Sequence, residues 1–173
     1  MRHHRTTAFA LLLLPACVTS KPVGADNDAA EKAAILTTID HFFEAMAARD
    51  APAFASTMTR DGMTYSQILR EGRWNMRAEP NRQHVEGLGT STRKFAETYW
   101  QPTVMQRGPI AVVWAPYRFR VDGVDSHHGV DTFQLLKIDG KWLIANSTWT
   151  VEPELAAELK PGEGVEIRPA SLK

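Results

Sequence analysis

The sequence predicts an α+β fold, because helical periodicity dominates its first third and strand signals dominate the rest. Near the N-terminus, apolar residues recur every three or four positions, which is typical of an amphipathic helix. Further on, alternating apolar segments are separated by two Asp-Gly pairs, and that dipeptide is typical of β-hairpins. The 173 residues, of which 43% are hydrophobic, suffice for one domain with its own core.

The charge balance argues against a nucleic-acid partner. The 20 Lys and Arg residues are matched by 20 Asp and Glu residues, and no basic cluster stands out. No apolar stretch reaches the roughly 20 residues that a membrane-spanning helix needs. We therefore expect no nucleic acid, and contact with a membrane only through an attached lipid.

The N-terminus has the pattern of an export signal. A basic start is followed by the apolar run Ala8–Leu14 and then by Leu-Pro-Ala-Cys17. Cys17 is the only cysteine, which excludes an intramolecular disulfide. The tetrapeptide resembles the lipobox of bacterial lipoproteins, where the signal is cut before the cysteine and a lipid is attached to its sulfur. Pro15 departs from that pattern, and a plain signal peptide cut elsewhere is the alternative.

These signals predict a division of the chain. We expect a signal peptide over 1–16, a lipidated flexible tether over 17–27, one domain over 28–153 and an irregular tail over 154–173. The expected location is the periplasm or the outer membrane, with the domain held there as a lipoprotein.

Two helices are predicted at the start of the domain. Asp28 and Glu31 match a capping box. A buried apolar stripe then follows at helical spacing, made of Ile35, Ile39, Phe42, Phe43 and Met46. Asp50 and Pro52 fit the N-cap and first turn of a second, short helix with Phe54 on its buried side.

The rest of the domain predicts strands. The first pair runs over Met63–Leu69 and from Trp74 to before Pro80, and residues 81–88 fit either a short helix or a loop. The later strands are expected at Phe95–Met105, Ile110–Val121, Ser126–Ile138 and Lys141–Val151, with Pro102 marking an edge or a bulge.

The two Asp-Gly turns predict which side chains share a face. If each turn has two residues, Asp131 lies between Trp114 and Thr148 on neighbouring strands. The predicted inner face carries Trp114, His127, Asp131, Phe133, Leu135, Trp142, Ile144, Asn146 and Thr148. One residue more or fewer in a turn would exchange the faces. The outer face is also partly apolar, so we expect a second copy to cover it in a homodimer.

The ordered segments resemble the nuclear-transport-factor-2-like superfamily, and within it the polyketide-cyclase-like branch that is also labelled lumazine-binding. The residues that carry the resemblance lie in 35–54, 97–102, 108–123, 126–133 and 140–144, and it spans 28 to about 153. His128 departs from the cysteine often found in that branch. The resemblance implies helices packed on a strongly curved, mostly antiparallel sheet forming a conical pocket, a cystatin-like α+β cone. Its members include dehydratases, isomerases and plain binders, so the fold does not define the activity.

Asp131 is the main candidate for chemistry. A carboxylate between apolar neighbours on an inner face is costly to bury unpaired. It fits either a general acid or base working with His127, or a structural carboxylate bonded to Thr148 or to the Trp114 indole. The predicted ligand pocket consists of Trp114, Asp131, Phe133, Asn146, Thr148, Tyr65 and Phe42, and the sequence leaves the facing of Glu97 open.

No metal and no cofactor are expected. His127 and His128 are adjacent on a strand and point to opposite faces, so they cannot chelate one ion together.

Three functions fit these observations. The first is an exported domain that binds a small apolar or aromatic molecule without turning it over. The second is a cofactor-free dehydratase or isomerase that uses Asp131 and His127 as acid and base. The third is a structural lipoprotein whose pocket is filled by its own side chains, which the pocket volume tests because ligand sites usually exceed about 300 Å³.

Overall fold

The computed structural model describes residues 25–172, and it confirms the α+β class. The predicted signal peptide, Cys17 and most of the predicted tether lie outside the described residues. The helices are α1 (Ala25–Ala48), α2 (Ala51–Ser56) and α3 (Asn81–Thr90). The strands are β1 (Met63–Arg70), β2 (Arg73–Pro80), β3 (Phe95–Trp100), β4 (Thr103–Arg107), β5 (Ile110–Val121), β6 (Val124–Ile138), β7 (Lys141–Val151) and β8 (Ile167–Arg168).

The first two helices pack on the sheet through the predicted apolar residues. All five members of the α1 stripe are buried, and so is Phe54 of α2. The Asp50 carboxylate accepts a hydrogen bond from the Ala53 amide at 2.9 Å, which confirms the predicted N-cap. The capping box at Asp28 is wrong, because α1 is already helical at Ala25. The helix-breaking residues of this stretch of sequence, Pro22 and Gly24, both precede that position.

The strands form one mixed, eight-stranded sheet. Its order is β2-β1-β7-β6-β5-β3-β8, and β4 pairs with β5 beyond the end of β3. β1 runs parallel to β7, whereas every other strand pair within residues 25–172 is antiparallel. α3 lies between β2 and β3, which settles the open choice over residues 81–88 in favour of a helix.

The single strand predicted over Phe95–Met105 is two strands. Gln101 adopts a φ of 45°, and Pro102 has no amide hydrogen to donate, so the ladder breaks there. β3 and β4 both pair with β5, so they lie end to end along the same edge of that strand. The predicted irregular tail also contains a strand, because β8 adds to the free edge of β3.

The register along β6 differs from the prediction by one residue on each side. Both Asp-Gly turns are present, and all four turn residues have positive φ. A bulge at Ser126 and another at Ala145 each insert one extra residue beyond the turn. Asp131 therefore pairs with Ala115 and Trp149, and the predicted pairing with Trp114 and Thr148 is wrong.

The bulges decide which side chains share a face with Asp131. Since directly paired residues share a face, Trp114, Thr148, Asn146 and Tyr65 lie on the outer face of the sheet. The inner face instead carries Tyr117, Phe119 and Trp149, which the two-residue-turn register assigned to the other side.

Candidate functional site

A cavity of about 720 Å³ lies between the helices and the inner face of the sheet. Polar residues of β2 and α3 form part of its wall, and eight aromatic side chains also line it: Phe42, Phe43, Phe54, Phe95, Tyr117, Phe119, Phe133 and Trp149. This volume is well above the roughly 300 Å³ at which ligand sites begin, so the cavity's own side chains do not fill it.

The structure brings half of the sequence-predicted site to this cavity. Asp131, His127, Phe133 and Phe42 line it, whereas Trp114, Asn146, Thr148 and Tyr65 do not. Trp114 is 50% exposed on the outer face, and the Asn146 amide donates to the Gln134 side chain there at 2.7 Å. The cause is the two bulges, at Ser126 and Ala145, because the residues of the Asp-Gly turns do not indicate that either bulge follows.

Glu97 reaches the cavity from β3. Its partner on β5 is Phe119, another cavity residue, which fixes the facing that the sequence left open. Glu97 is 8% exposed and Asp131 is 4% exposed, so both carboxyls are buried. Their positions on different strands bring two acidic side chains together in the wall of the cavity.

The Glu97 and Asp131 carboxyls lie next to each other, where a proton held by one of them can form a hydrogen bond with the other. Burial raises the pKa of Asp131, and burial together with the negative field of Asp131 raises the pKa of Glu97 well above its usual range. Two carboxyls in one site resist double ionisation, so the pair keeps at least one proton near neutral pH.

No basic residue between 25 and 172 forms an ion pair with Glu97 or Asp131. Among residues 25–172, the ion pairs of Lys, Arg and His involve other carboxylates, at Glu31, Asp40, Glu79, Asp122, Asp125 and Glu166. The Asp131 Oδ2 atom is buried and accepts no hydrogen bond from an amide or hydroxyl of the described residues. An acidic group with spare hydrogen-bonding capacity therefore faces the cavity.

Tyr117 forms the wall beside the pair. Its hydroxyl donates to the Thr150 carbonyl oxygen at 2.6 Å. Burial, and then the charges of Asp131 and Glu97, raise the pKa of the Tyr117 hydroxyl, so it stays protonated. The Tyr117 ring therefore occupies the space next to the two carboxyls, and its neutral hydroxyl does not balance their charge.

His127 lines the cavity, but it does not partner Asp131. Its Nδ1 lies 3.1 Å from Ser126 Oγ, and its ring packs on Phe119 with centroids 4.8 Å apart. Burial lowers the pKa of His127 to about 4, so the imidazole is neutral at pH 7. Within residues 25–172, no hydrogen bond joins it to Asp131, whose partner is Glu97.

The wall formed by α3 is held by polar contacts. Glu79 accepts hydrogen bonds from Arg77 at 3.0 Å and from His84 at 2.8 Å. The His84 ring lies near Phe54 and Trp149, with centroids 5.5 and 5.8 Å away. Glu79 and His84 thus connect β2 to α3 and place this side of the cavity against the aromatic residues Phe54 and Trp149.

Asn81, the first residue of α3, ties that wall to the sheet. It is fully buried, and its amide donates to the carbonyls of Thr59 at 2.8 Å and Ala145 at 3.2 Å. Its side-chain oxygen accepts from the Thr64 hydroxyl at 3.1 Å. All of its side-chain polar atoms are thus used inside the protein, which rigidifies the start of the helix.

The described part of the chain, residues 25–172, contains no group of three or more His, Cys, Asp or Glu residues placed to hold a metal ion. In the same range, no helix combines the length and apolar character needed to cross a bilayer.

Comparison with known proteins defines the fold. No family model matches the chain, and neither does any curated protein. A cystatin-like protein of unknown function from Nostoc punctiforme matches with a TM-score of 0.58 and 17% identity, covering 73% of this chain and 95% of its own. A nuclear-transport-factor-2-like protein of unknown function from Shewanella baltica matches with a TM-score of 0.54 and 15% identity, covering 73% and 97%.

A third match has a named activity. It is a candidate scytalone dehydratase from Novosphingobium aromaticivorans, with a TM-score of 0.61 and 13% identity, covering 83% of this chain and 100% of its own. At these identities the likeness shows the fold alone. The chain has the nuclear-transport-factor-2-like, or cystatin-like, α+β fold, as the resemblance implied.

Proposed function

We propose that this protein is an exported binding domain whose small, partly apolar ligand occupies the aromatic cavity with Glu97 and Asp131 as its polar anchor. The observation that carries the proposal is a buried acidic pair, without a basic partner in the described chain, at the end of a 720 Å³ cavity. Burying charge without compensation is costly, so such groups are typical of functional sites rather than of cores that only need filling.

Residues of α3 line the cavity, so a larger side chain on that helix can occupy the space of the proposed ligand. Gly87 lines the cavity, and a Cβ added there meets no atom within 4 Å. Gly87→Phe therefore places a ring at the cavity wall without a backbone clash, and Gly87→Ala is the matched control.

Native mass spectrometry and extraction of the purified full-length protein test this proposal. We expect a retained small molecule in the wild type and in Gly87→Ala, and its loss in Gly87→Phe. Equal recovery of the molecule from all three proteins would place it outside the cavity and contradict the proposal.

A cofactor-free dehydratase or isomerase is the second candidate. The observation that favours it is the buried pair of adjacent carboxyls, because a pair with a raised pKa can supply both an acid and a base near neutral pH. In this version Glu97 takes the role predicted for His127. Replacing Asp131 by Asn separates the two candidates, since an acid–base enzyme loses its rate of conversion, whereas a binder converts nothing in the wild type and loses only affinity for its ligand.

Export and lipid attachment at Cys17 are part of the same proposal. The basic start, the apolar run and the single cysteine support them. The intact mass of the protein purified from its native membrane tests the anchor. We expect loss of residues 1–16 and the added mass of a diacylglycerol, and an unmodified cysteine would contradict it.

The outer sheet face supports a homodimer. Met105 on β4 pairs with Val112 on β5, and Ile110 and Trp114 flank Val112 on the same face. All four side chains are exposed in the single chain, which leaves a contiguous apolar patch uncovered. We propose that a second copy of the chain covers this patch through a two-fold contact.

A further inference from the structure

We propose that the cavity selects a hydrophobic organic cation, an amine whose charged end contacts Glu97 and Asp131 and whose apolar body lies between the aromatic walls. This inference rests on the proposed function, because it names the chemical class of the ligand for the same cavity.

The charge of the cavity supports a cation. Apart from the acidic pair, its titratable lining groups are Tyr117 on β5, His127 on β6, Arg77 and Glu79 on β2, and His84 and Glu86 on α3. The Arg77 guanidinium is paired with Glu79, and its side chain is largely exposed. His84 contacts Glu79, and His127 is neutral at pH 7, so no positive charge among the described lining residues pairs with the two buried carboxyls.

The hydrogen bonding of the pair also supports a cation. The Asp131 Oδ2 atom is buried, lacks a donor from the described amides and hydroxyls, and belongs to a side chain that lines the cavity. An ammonium group brings three N–H donors and a positive charge, and it forms charge-assisted hydrogen bonds with carboxylates. A neutral alcohol brings one donor and no charge, and a carboxylate ligand adds repulsion.

The walls suit the rest of such a ligand. Eight aromatic side chains line the cavity, and the apolar part of the ligand is desolvated among them. Aromatic faces also attract cations, most strongly where water is excluded. A hydrophobic amine therefore uses both the acidic end and the aromatic walls, whereas a neutral hydrocarbon uses only the walls.

Binding of a cation should displace the proton that the carboxyls share. The cation stabilises the doubly ionised pair, so the proton and the ligand compete for the same site. Amine affinity is expected to rise with pH above the usual carboxyl range, with release of up to one proton per ligand bound near neutral pH.

Isothermal titration calorimetry with three isosteric probes tests the inference on the full chain. The probes are 1-naphthylmethylamine, 1-naphthalenemethanol and 1-naphthoate, each titrated at pH 7 in two buffers with different ionisation enthalpies. We expect the amine to bind at least about 10-fold tighter than the alcohol, with proton release, and the naphthoate not to bind.

Variants locate the preference. Glu97→Gln and Asp131→Asn should reduce the amine-to-alcohol ratio to about 2-fold or less, whereas Asp125→Asn, at an exposed carboxylate in the β5–β6 hairpin, should keep it. Circular dichroism checks that each variant folds. The comparison of the three probes on the wild-type protein tests the inference even if a variant fails to fold.

The outcomes separate the two proposals. If alcohol and amine bind equally and Gly87→Phe abolishes both, the cation inference is overturned and the proposed binding function stands. If none of the probes binds at 1 mM, the inference is also overturned, and the mass spectrometry of retained ligand then decides the proposed function independently. Tight amine binding that survives in Gly87→Phe would overturn both assignments to the cavity.

Discussion

The Glu97 carboxyl on β3 lies next to the Asp131 carboxyl on β6, although β5 lies between their strands. The two carboxyls meet because both side chains project into the same cavity. Their contact holds an ionisable pair beside aromatic side chains and makes this part of the cavity acidic. The proposed binding function and the proposed ligand class both depend on it.

The first prediction concerns stability against pH. A carboxyl whose folded-state pKa is above its unfolded value binds its proton more tightly when folded. The free energy of unfolding therefore falls as pH rises from about 4 through the raised pKa. Asp131→Asn removes this penalty, so we expect the variant to gain about 1–3 kcal/mol relative to wild type at pH 8 and much less at pH 4.

Urea unfolding of wild type and variant at both pH values measures this difference. Asp125→Asn is the control of opposite sign, because its hydrogen bond to Arg120 lowers the pKa of Asp125. The Asp125→Asn variant should be slightly less stable than the wild type at pH 8. A difference for Asp131→Asn that does not grow with pH would contradict the account.

The second prediction concerns the outer apolar patch. A charge at its centre is costly to bury against a second copy, so Val112→Glu should convert a dimer into a monomer. Light scattering after size exclusion at about 100 µM gives the mass. Met76→Glu, at an exposed position on β2, is the control and should leave the dimer intact. A monomeric wild type at that concentration would refute the proposed dimer.

The third prediction concerns the C-terminal tail. Arg168 on β8 pairs with Asp40 on α1, and the Tyr99 hydroxyl donates to Asp40 at 2.7 Å. This partly buried network fastens the tail to the helix. Arg168→Met should lower the free energy of unfolding by about 1–3 kcal/mol, because it leaves Asp40 with one partner fewer.

Chemical denaturation measures that loss, and Glu166→Gln supplies the comparison. Glu166 also contacts Arg168, at 3.3 Å, but its side chain is exposed, so its loss should cost less than about 0.5 kcal/mol. Equal losses of unfolding free energy in the two variants would show that the partial burial of the Arg168–Asp40 ion pair does not add to its stabilising effect.

The fourth prediction concerns Asn81. Replacement by Ala removes the donor to the Thr59 and Ala145 carbonyls and leaves the Thr64 hydroxyl only its contact with Ser147, so we expect a loss of about 1–3 kcal/mol. Asn75→Ala on the exposed β1–β2 hairpin is the control, and it should change stability by less than about 0.5 kcal/mol. Thermal unfolding compares the two, and similar melting temperatures would count against Asn81 as the anchor of α3.

The element types were predictable because their causes are local. The α1 stripe needs only helical spacing, and the Asp50 cap and the Asp-Gly turns need only neighbouring residues. The start of α1 was predicted three residues late, since Asp28 fits an N-cap and a helical interior equally well.

The site was harder to predict because its causes are not local. The bulges at Ser126 and Ala145 carry no glycine or proline that would mark them, yet each reverses the facing of every later residue along its strand pair. Asp131 kept its place, whereas Trp114 exchanged faces. Asp131 meets Glu97 because the strands lie in the order β6-β5-β3. The alternation of side chains along one strand predicts which way they face, but it does not predict the order of the strands.

A carbon-13 NMR titration of the Glu97 and Asp131 carboxyl carbons, assigned with Glu97→Gln and Asp131→Asn, tests the shared proton most directly. We expect the two signals to titrate together above the usual carboxyl range, with at least one proton still bound to the pair at pH 6. In Glu97→Gln, the single remaining transition of Asp131 should stay above that range because of burial. Two independent transitions near pH 4 would show that both carboxylates are ionised and separate, and the central claim would be wrong.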